Sequence, residues 1–201
     1  MHSSGFSRHL GISWYLSHET ILEFMIKVLF RFGMLFFLLG HYGELFAQDS
    51  VYQFKEANVT LNTPNSHWHL QPKQEKNGFV IYVFKRDPIL DSSNRNIIPN
   101  AAIVIEKIDP KMDVITYSIN KRSNGAFDVT KVFSHEDGTI NYLNAVGYEG
   151  TYTDQMTHTV YVVHAINGDK GMQLILDTTT QTFASMDGEF LQILKSFKKL
   201  N

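Results

Sequence analysis

The chain has 201 residues in which 18 lysines and arginines face 20 aspartates and glutamates, for a formal net charge of −2. That balance argues against the clustered cationic surface of a nucleic-acid binder. With no cysteine, disulfides, thiolate metal sites and lipid-modified cysteines are excluded, and a 43% hydrophobic content suffices for one core.

From Met25 the sequence reads Met-Ile-Lys-Val-Leu-Phe-Arg-Phe-Gly-Met-Leu-Phe-Phe-Leu-Leu-Gly. Lys27 and Arg31 form a basic start, Phe32 to Gly40 is apolar, and Ala47 precedes the polar Gln48-Asp49. This is the order of a secretory signal. The apolar run is too short to span a bilayer, which takes about 20 residues; an uncleaved anchor is the alternative. Residues 1–47 are therefore assigned to an N-terminal extension and signal peptide, with Met25 a second start and cleavage near Ala47. Residues 48–201 are left as one domain, exported to the periplasm or beyond, with no stable membrane insertion after cleavage.

In the mature chain, Ala57 to Leu61 reads as a first strand, and Asn62 to Ser66 as a turn cluster. Phe79 to Arg86 alternates with apolar residues on both faces, which predicts a central strand covered on both sides. Asp87 to Asn100, with its prolines, asparagines and serines, reads as a long exposed loop. Ala101 to Ile108 is the next strand. Asp109-Pro110 then predicts a capped helix over residues 110–122, with Met112, Ile115 and Ile119 on its apolar face. Val129–Phe133, Thr139–Leu143 and Ala145–Tyr152 are further strand candidates.

The closing stretch carries the strongest pattern. Thr159–Ala165 and Met172–Asp177 are apolar and β-branched, and Ile166-Asn167-Gly168-Asp169-Lys170-Gly171 between them predicts a hairpin whose glycines supply positive φ angles. Phe183, Met186, Phe190, Ile193, Leu194 and Phe197 then recur at helical spacing, predicting a helix over residues 182–199. The element order is α+β: a mainly antiparallel sheet with helices on both faces, an α/β/α sandwich.

Several of these segments resemble one family. Pro64-x-x-x-Trp68 after a first strand, Asn100 to Ile105 before a helix, the strand at Tyr148–Tyr152 before a hairpin, and the final Phe190-Leu191-Gln192-Ile193-Leu194-Lys195-Ser196-Phe197-Lys198 are similar to PsbP-like and Mog1-like domains. The Pro-to-Trp gap is one residue longer than in that pattern, and Gly188 interrupts the final helix. The resemblance implies an α/β/α sandwich with an accessory, assembly or binding role, and no cofactor or shared catalytic motif.

The residues themselves offer few chemical constellations. His67-x-His69 puts two imidazoles on one strand face; zinc would need further ligands, for which His135, Glu136 and Asp137 are candidates. The alternative is two exposed histidines flanking a core tryptophan. Ser134-His135-Glu136-Asp137 holds triad residue types but reads as a solvated turn, because a triad is assembled in space. His158 and His164 share one strand face, where packing is the simpler role. Tyr82, Tyr117, Tyr142, Tyr148, Tyr152 and Tyr161 suit either a core or a ligand groove. Lys195, Lys198 and Lys199 suit the negative end of a helix. No G-x-S-x-G, H-E-x-x-H or phosphate-loop motif occurs. The expectation is an exported, non-catalytic binding or assembly protein with a protein partner in the cell envelope. The alternatives are a metal-dependent or hydrolytic enzyme using His67, His69 and His135, and a carrier of small apolar ligands.

Overall fold

The computed structural model describes residues 50–123 and 127–200. The signal and start-site readings at 1–47 lie outside the described residues. The chain opens with strands β1 (Ser50–Phe54), β2 (Val59–Thr63), β3 (Trp68–Leu70), β4 (Gln74–Lys76) and β5 (Phe79–Arg86). Next come β6 (Ile89–Leu90), β7 (Asn96–Ile97) and β8 (Asn100–Lys107), followed by helix α1 (Val114–Arg122). Strands β9 (Asp128–Ser134), β10 (Ala145–Thr153), β11 (Thr157–Asn167) and β12 (Lys170–Thr179) lead to helix α2 (Thr180–Ser196) and a short β13 (Lys198–Lys199).

Every ladder of the main sheet is antiparallel, in the order β3-β5-β8-β12-β11-β10-β9, with β4 also on β5. This is the expected α+β sandwich. Because side chains alternate along a strand, β11 sends Tyr161, Val163 and Ala165 into the main core beneath α2. His158, Val160, Val162 and His164 point to the face that carries α1. From α2, Met186, Phe190, Ile193 and Leu194 are each at most 1% exposed, and burying that stripe contributes roughly 6–12 kcal/mol. A small sheet, β1-β2-β13, closes the same core, with Tyr52 edge-on to Phe84 and Phe54 edge-on to Tyr82.

Several expectations change. The hairpin forms around Gly168 (φ +62°), with Asn167 paired to Lys170. Gly171, however, lies within β12 and is small for another reason: a Cβ there would stand 2.5 Å from the Tyr117 ring. Helix α1 starts at Val114, since Asp113 rather than Asp109 caps it by accepting from the Thr116 N–H. Asp109 instead accepts from the Lys111 N–H in a preceding turn.

The apolar face predicted for α1 points outward, leaving Ile115 55% and Ile119 61% exposed. Tyr117 and Ser118 are buried in their place. Tyr117 fills the space over Gly171, and Ser118 finds two buried polar partners. These two fits outweigh two isoleucines on a nine-residue helix.

Strand β5 lies next to the short edge strands rather than at the centre, which belongs to β12. The 87–100 stretch is not irregular: it holds the β6–β7 hairpin, organised by the Asp91 carboxylate, which accepts from the N–H groups of Ser93 and Arg95. Residues 139–143 form no strand but insert Ile140 and Tyr142, the latter stacked on Phe197 with centroids 5.1 Å apart. Lys198 and Lys199 leave the helix to pair with β2. Among the described residues, no helix is long and apolar enough to cross a membrane.

Candidate functional site

His67, in the turn before β3, and His69, within it, flank Trp68, and both imidazoles turn to one carboxylate. His67 Nδ1 is 2.8 Å from Asp87 Oδ2, and His69 Nε2 is 2.8 Å from Asp87 Oδ1. Hydrogen bonds from the two rings, His67 first, hold the Asp87 carboxyl below the usual range. Trp68 points inward, 3% exposed, with its ring 6.2 Å from that of Phe190.

His135 does not join this pair. It follows β9, at the opposite edge of the sheet from β3, roughly 29 Å away at about 4.8 Å per strand step. Its Nδ1 lies 3.3 Å from the Ile140 carbonyl. The neighbouring serine and acids build a turn: the Ser134 N–H donates to Asp137 Oδ2 and the Thr139 N–H to Asp137 Oδ1. Among the described residues, no three His, Asp or Glu side chains stand where they could hold one metal ion.

Among the described residues, the other two histidines are also committed. His158 Nδ1 is 2.8 Å from Asp177 Oδ1, while Tyr152 donates to Asp177 Oδ2 and stacks on the His158 ring. His164, 2% exposed, has Nδ1 2.8 Å from Ser118 Oγ, which is itself 2.7 Å from the Tyr148 hydroxyl. A serine–histidine pair with a tyrosine could serve acid–base chemistry, but this one is sealed under α1. Burial, then the Lys121 and Arg122 charges, push the imidazole down to about 4. Ser118 was missed because it lies off the apolar periodicity of α1, and no local signal pairs it with a histidine 46 positions away.

The six tyrosines do not line a common groove. Tyr82 donates to Glu56, Tyr117 to Glu106 and Tyr142 to the Ile166 carbonyl. Tyr161 meets a groove of about 440 Å³ between α2 and the β9–β10 end of the sheet. Its floor is Phe133, Tyr161, Phe183 and Leu191, and its rim carries Lys131, Asp137, Glu149, Asp187 and Lys195. The α2 contributors recur every fourth residue, as one helical stripe. The Tyr161 hydroxyl donates to Asp187 Oδ1 at 2.7 Å, and burial followed by this bond pushes the phenol well up. A smaller cavity of about 290 Å³ lies at the Asn167-Gly168 turn, between residues 141–144 and Lys199.

No known family model matches the chain, and no curated protein matches it. Solved structures do. A cyanobacterial PsbP from Synechocystis sp. PCC 6803 is 17% identical, with a TM-score of 0.47, over 78% of this chain and 95% of the other. LpqN, involved in cell envelope biogenesis of Mycobacterium tuberculosis, is 15% identical at TM-score 0.47, covering 75% and 90%. The Saccharomyces cerevisiae Ran-binding protein Mog1p is 9% identical at TM-score 0.48, covering 77% and 97%. This chain spans only 48% of another match, from Bacteroides thetaiotaomicron, 11% identical at TM-score 0.48 over 76% of this chain. Both kinds of protein named by the sequence resemblance are thus among the structural matches, and identities this low concern the fold alone.

Proposed function

We propose that this chain is an exported, non-catalytic binding or assembly protein of the cell envelope, acting through residues 48–201 after removal of a leader. The observation that carries the binding reading is the state of its polar clusters. His164 with Ser118, His158 with Asp177, His67 and His69 with Asp87, and Asp137 in its turn are each engaged in holding neighbouring segments. The surface offers grooves and exposed apolar side chains instead, Leu143 being 79% and Val132 58% exposed. The export reading is supported by the basic, apolar and small-residue order of residues 25–49. The enzymatic alternative gains nothing from the placement of His135 far from His67 and His69.

Two measurements test the two halves. Cell fractionation with intact-mass analysis should find the chain outside the cytoplasm, beginning at Gln48; an unprocessed cytoplasmic chain overturns export. Photo-crosslinking residues at positions 92, 136 and 169 should give discrete adducts with a partner in living cells. Failure at all three sites overturns the binding reading.

A further inference from the structure

The two faces of the main sheet are packed in different ways. Among the described residues the main core, beneath α2, holds no residue of α1. Helix α1 rests on the other face, over β10 and β11, with Tyr117 and Ser118 buried. Tyr148, Val160, Val162 and His164, buried on that face, also lie outside the main core. A nine-residue helix docked in this way can leave the sheet while the core stays closed, and local opening is drawn from such thinly packed segments.

His164 ties this layer to pH. The imidazole is 2% exposed, and a hydroxyl rather than a carboxylate meets its Nδ1, Ser118 Oγ at 2.8 Å. Helix α1 adds the Tyr117 ring, edge-on at 6.0 Å, and the charges of Lys121 and Arg122, which oppose a positive imidazole. Strand β10 adds Tyr148, its ring 5.7 Å away and its hydroxyl on Ser118, and β12 places Gln173 cross-strand. Carboxylates meet these elements at other points. Glu106 of β8 pairs with Lys121 and accepts from the Tyr117 hydroxyl, Asp113 caps the first turn of α1, and Asp177 of β12 meets His158 and Tyr152.

We propose that α1 is an acid-released flap with His164 as its latch: when the buried imidazole takes a proton, α1 lifts from β10 and β11 while the sheet and α2 stay folded. The opened face presents Val160, Val162 and the Tyr148 ring. This stands apart from the export and binding readings above.

The driving force is a proton that the closed state refuses. Ser118 Oγ can accept from a protonated Nδ1 as well as donate to a neutral one, so the latch fails through uncompensated buried charge rather than through a lost bond. With Glu106 nearby and Lys121 and Arg122 in place, the imidazole under α1 is held at about 4, against about 6.5 in water. Opening gains nothing from protons above the solvent value and is favoured as the pH falls from there towards the buried one. From pH 7.5 to pH 5 the open fraction should rise about 30-fold, the ratio those two values set. Asp113 keeps its cap through this window, because hydrogen bonds from Thr116, its N–H first, hold the carboxyl below the usual range.

The test is amide hydrogen exchange of the full chain at pH 7.5 and pH 5, corrected for the intrinsic pH dependence of exchange and repeated in low, non-denaturing urea. Amides from Tyr117 to Lys121 should be less protected than those of β11 and β12, and their protection should fall about 30-fold at pH 5. It should also respond little to urea, since a lifted helix exposes little surface, whereas β11 and β12 should follow urea as global unfolding does. One shared protection and one shared urea response for α1 and β11 overturns the proposal, because the two then open only together. This comparison needs no variant, so it stands whether or not a substituted chain folds well. His164→Gln should leave α1 protection the same at both pH values. An acid response that survives His164→Gln and disappears in Glu106→Gln overturns the proposal in favour of the Glu106 contacts with Lys121 and Tyr117.

Discussion

The indole N–H of Trp68 donates to Glu189 Oε2 at 2.8 Å, joining the first short strand of the main sheet to a helix 121 positions later. The same carboxylate accepts from Arg86 at both oxygens, Nε on Oε2 at 3.1 Å and NH2 on Oε1 at 2.9 Å. Burial pushes the Glu189 carboxyl up, but the bonds from Arg86 and Trp68 prevail and hold it below its ordinary value. Trp68 therefore does more than fill the core: it fixes the carboxylate that ties α2 to β3 and β5.

Glu189→Ala strands a buried indole N–H and a mostly buried guanidinium, the costly way to lose an ion pair. The expected loss is about 3 kcal/mol, read as a lower urea midpoint at pH 7. Because the folded carboxyl titrates below the unfolded one, its contribution is present above the unfolded value near 4.3 and fades as the pH falls through the folded one. The gap between wild type and variant should narrow accordingly at pH 3.

His164 destabilises the fold in the same direction, as the pH falls, but over a window that opens at higher pH. Between the unfolded imidazole value of about 6.5 and the buried one of about 4, the unfolded chain holds a proton that the folded chain refuses. Stability must then fall as the pH falls through that window, by about 3 kcal/mol in all. His164→Gln, which keeps a polar group near Ser118, should flatten the dependence. An equal acid loss in both proteins would assign the effect to other groups.

The outward turn of α1 is tested by a contrast. Ile115→Lys and Ile119→Lys should each change stability by no more than about 0.5 kcal/mol, as exposed positions do. Tyr117→Ala, at 1% exposure, should cost about 3 kcal/mol or more. Chemical denaturation of the three variants settles which face is docked.

Gly171→Ala probes the close approach beneath Tyr117. The new Cβ would stand 2.5 and 2.7 Å from Tyr117 ring carbons and 2.9 Å from Ile108 Cγ2, so α1 must shift. A loss of about 1–3 kcal/mol is expected, with exchange at the Tyr117 and Ser118 amides rising before that of β11. A neutral effect would show that α1 moves freely on the sheet.

Local pattern alone determined the elements whose partners are close in sequence. The β11–β12 hairpin follows from Asn167-Gly168 between two β-branched runs, and the α2 core stripe from Phe183 to Leu194 follows from its spacing, since turn chemistry and periodicity act within a few residues. That order of elements was also enough to specify an α+β sandwich. Only the tertiary structure decided what depends on distant chain. Ile115 and Ile119 carry the apolar signal of α1, yet the helix docks by Tyr117 and Ser118, because space over Gly171 and hydrogen bonds from His164 and Tyr148 exist only once the sheet is assembled. His67 and His69 share a face by period two, but Asp87, across the β3–β5 pairing, gives them a common partner, and strand order carries His135 to the far edge. The α2 groove beside β9 was likewise illegible, for its walls come from two strands, a turn and a helix brought together by long-range pairing, which no local periodicity encodes.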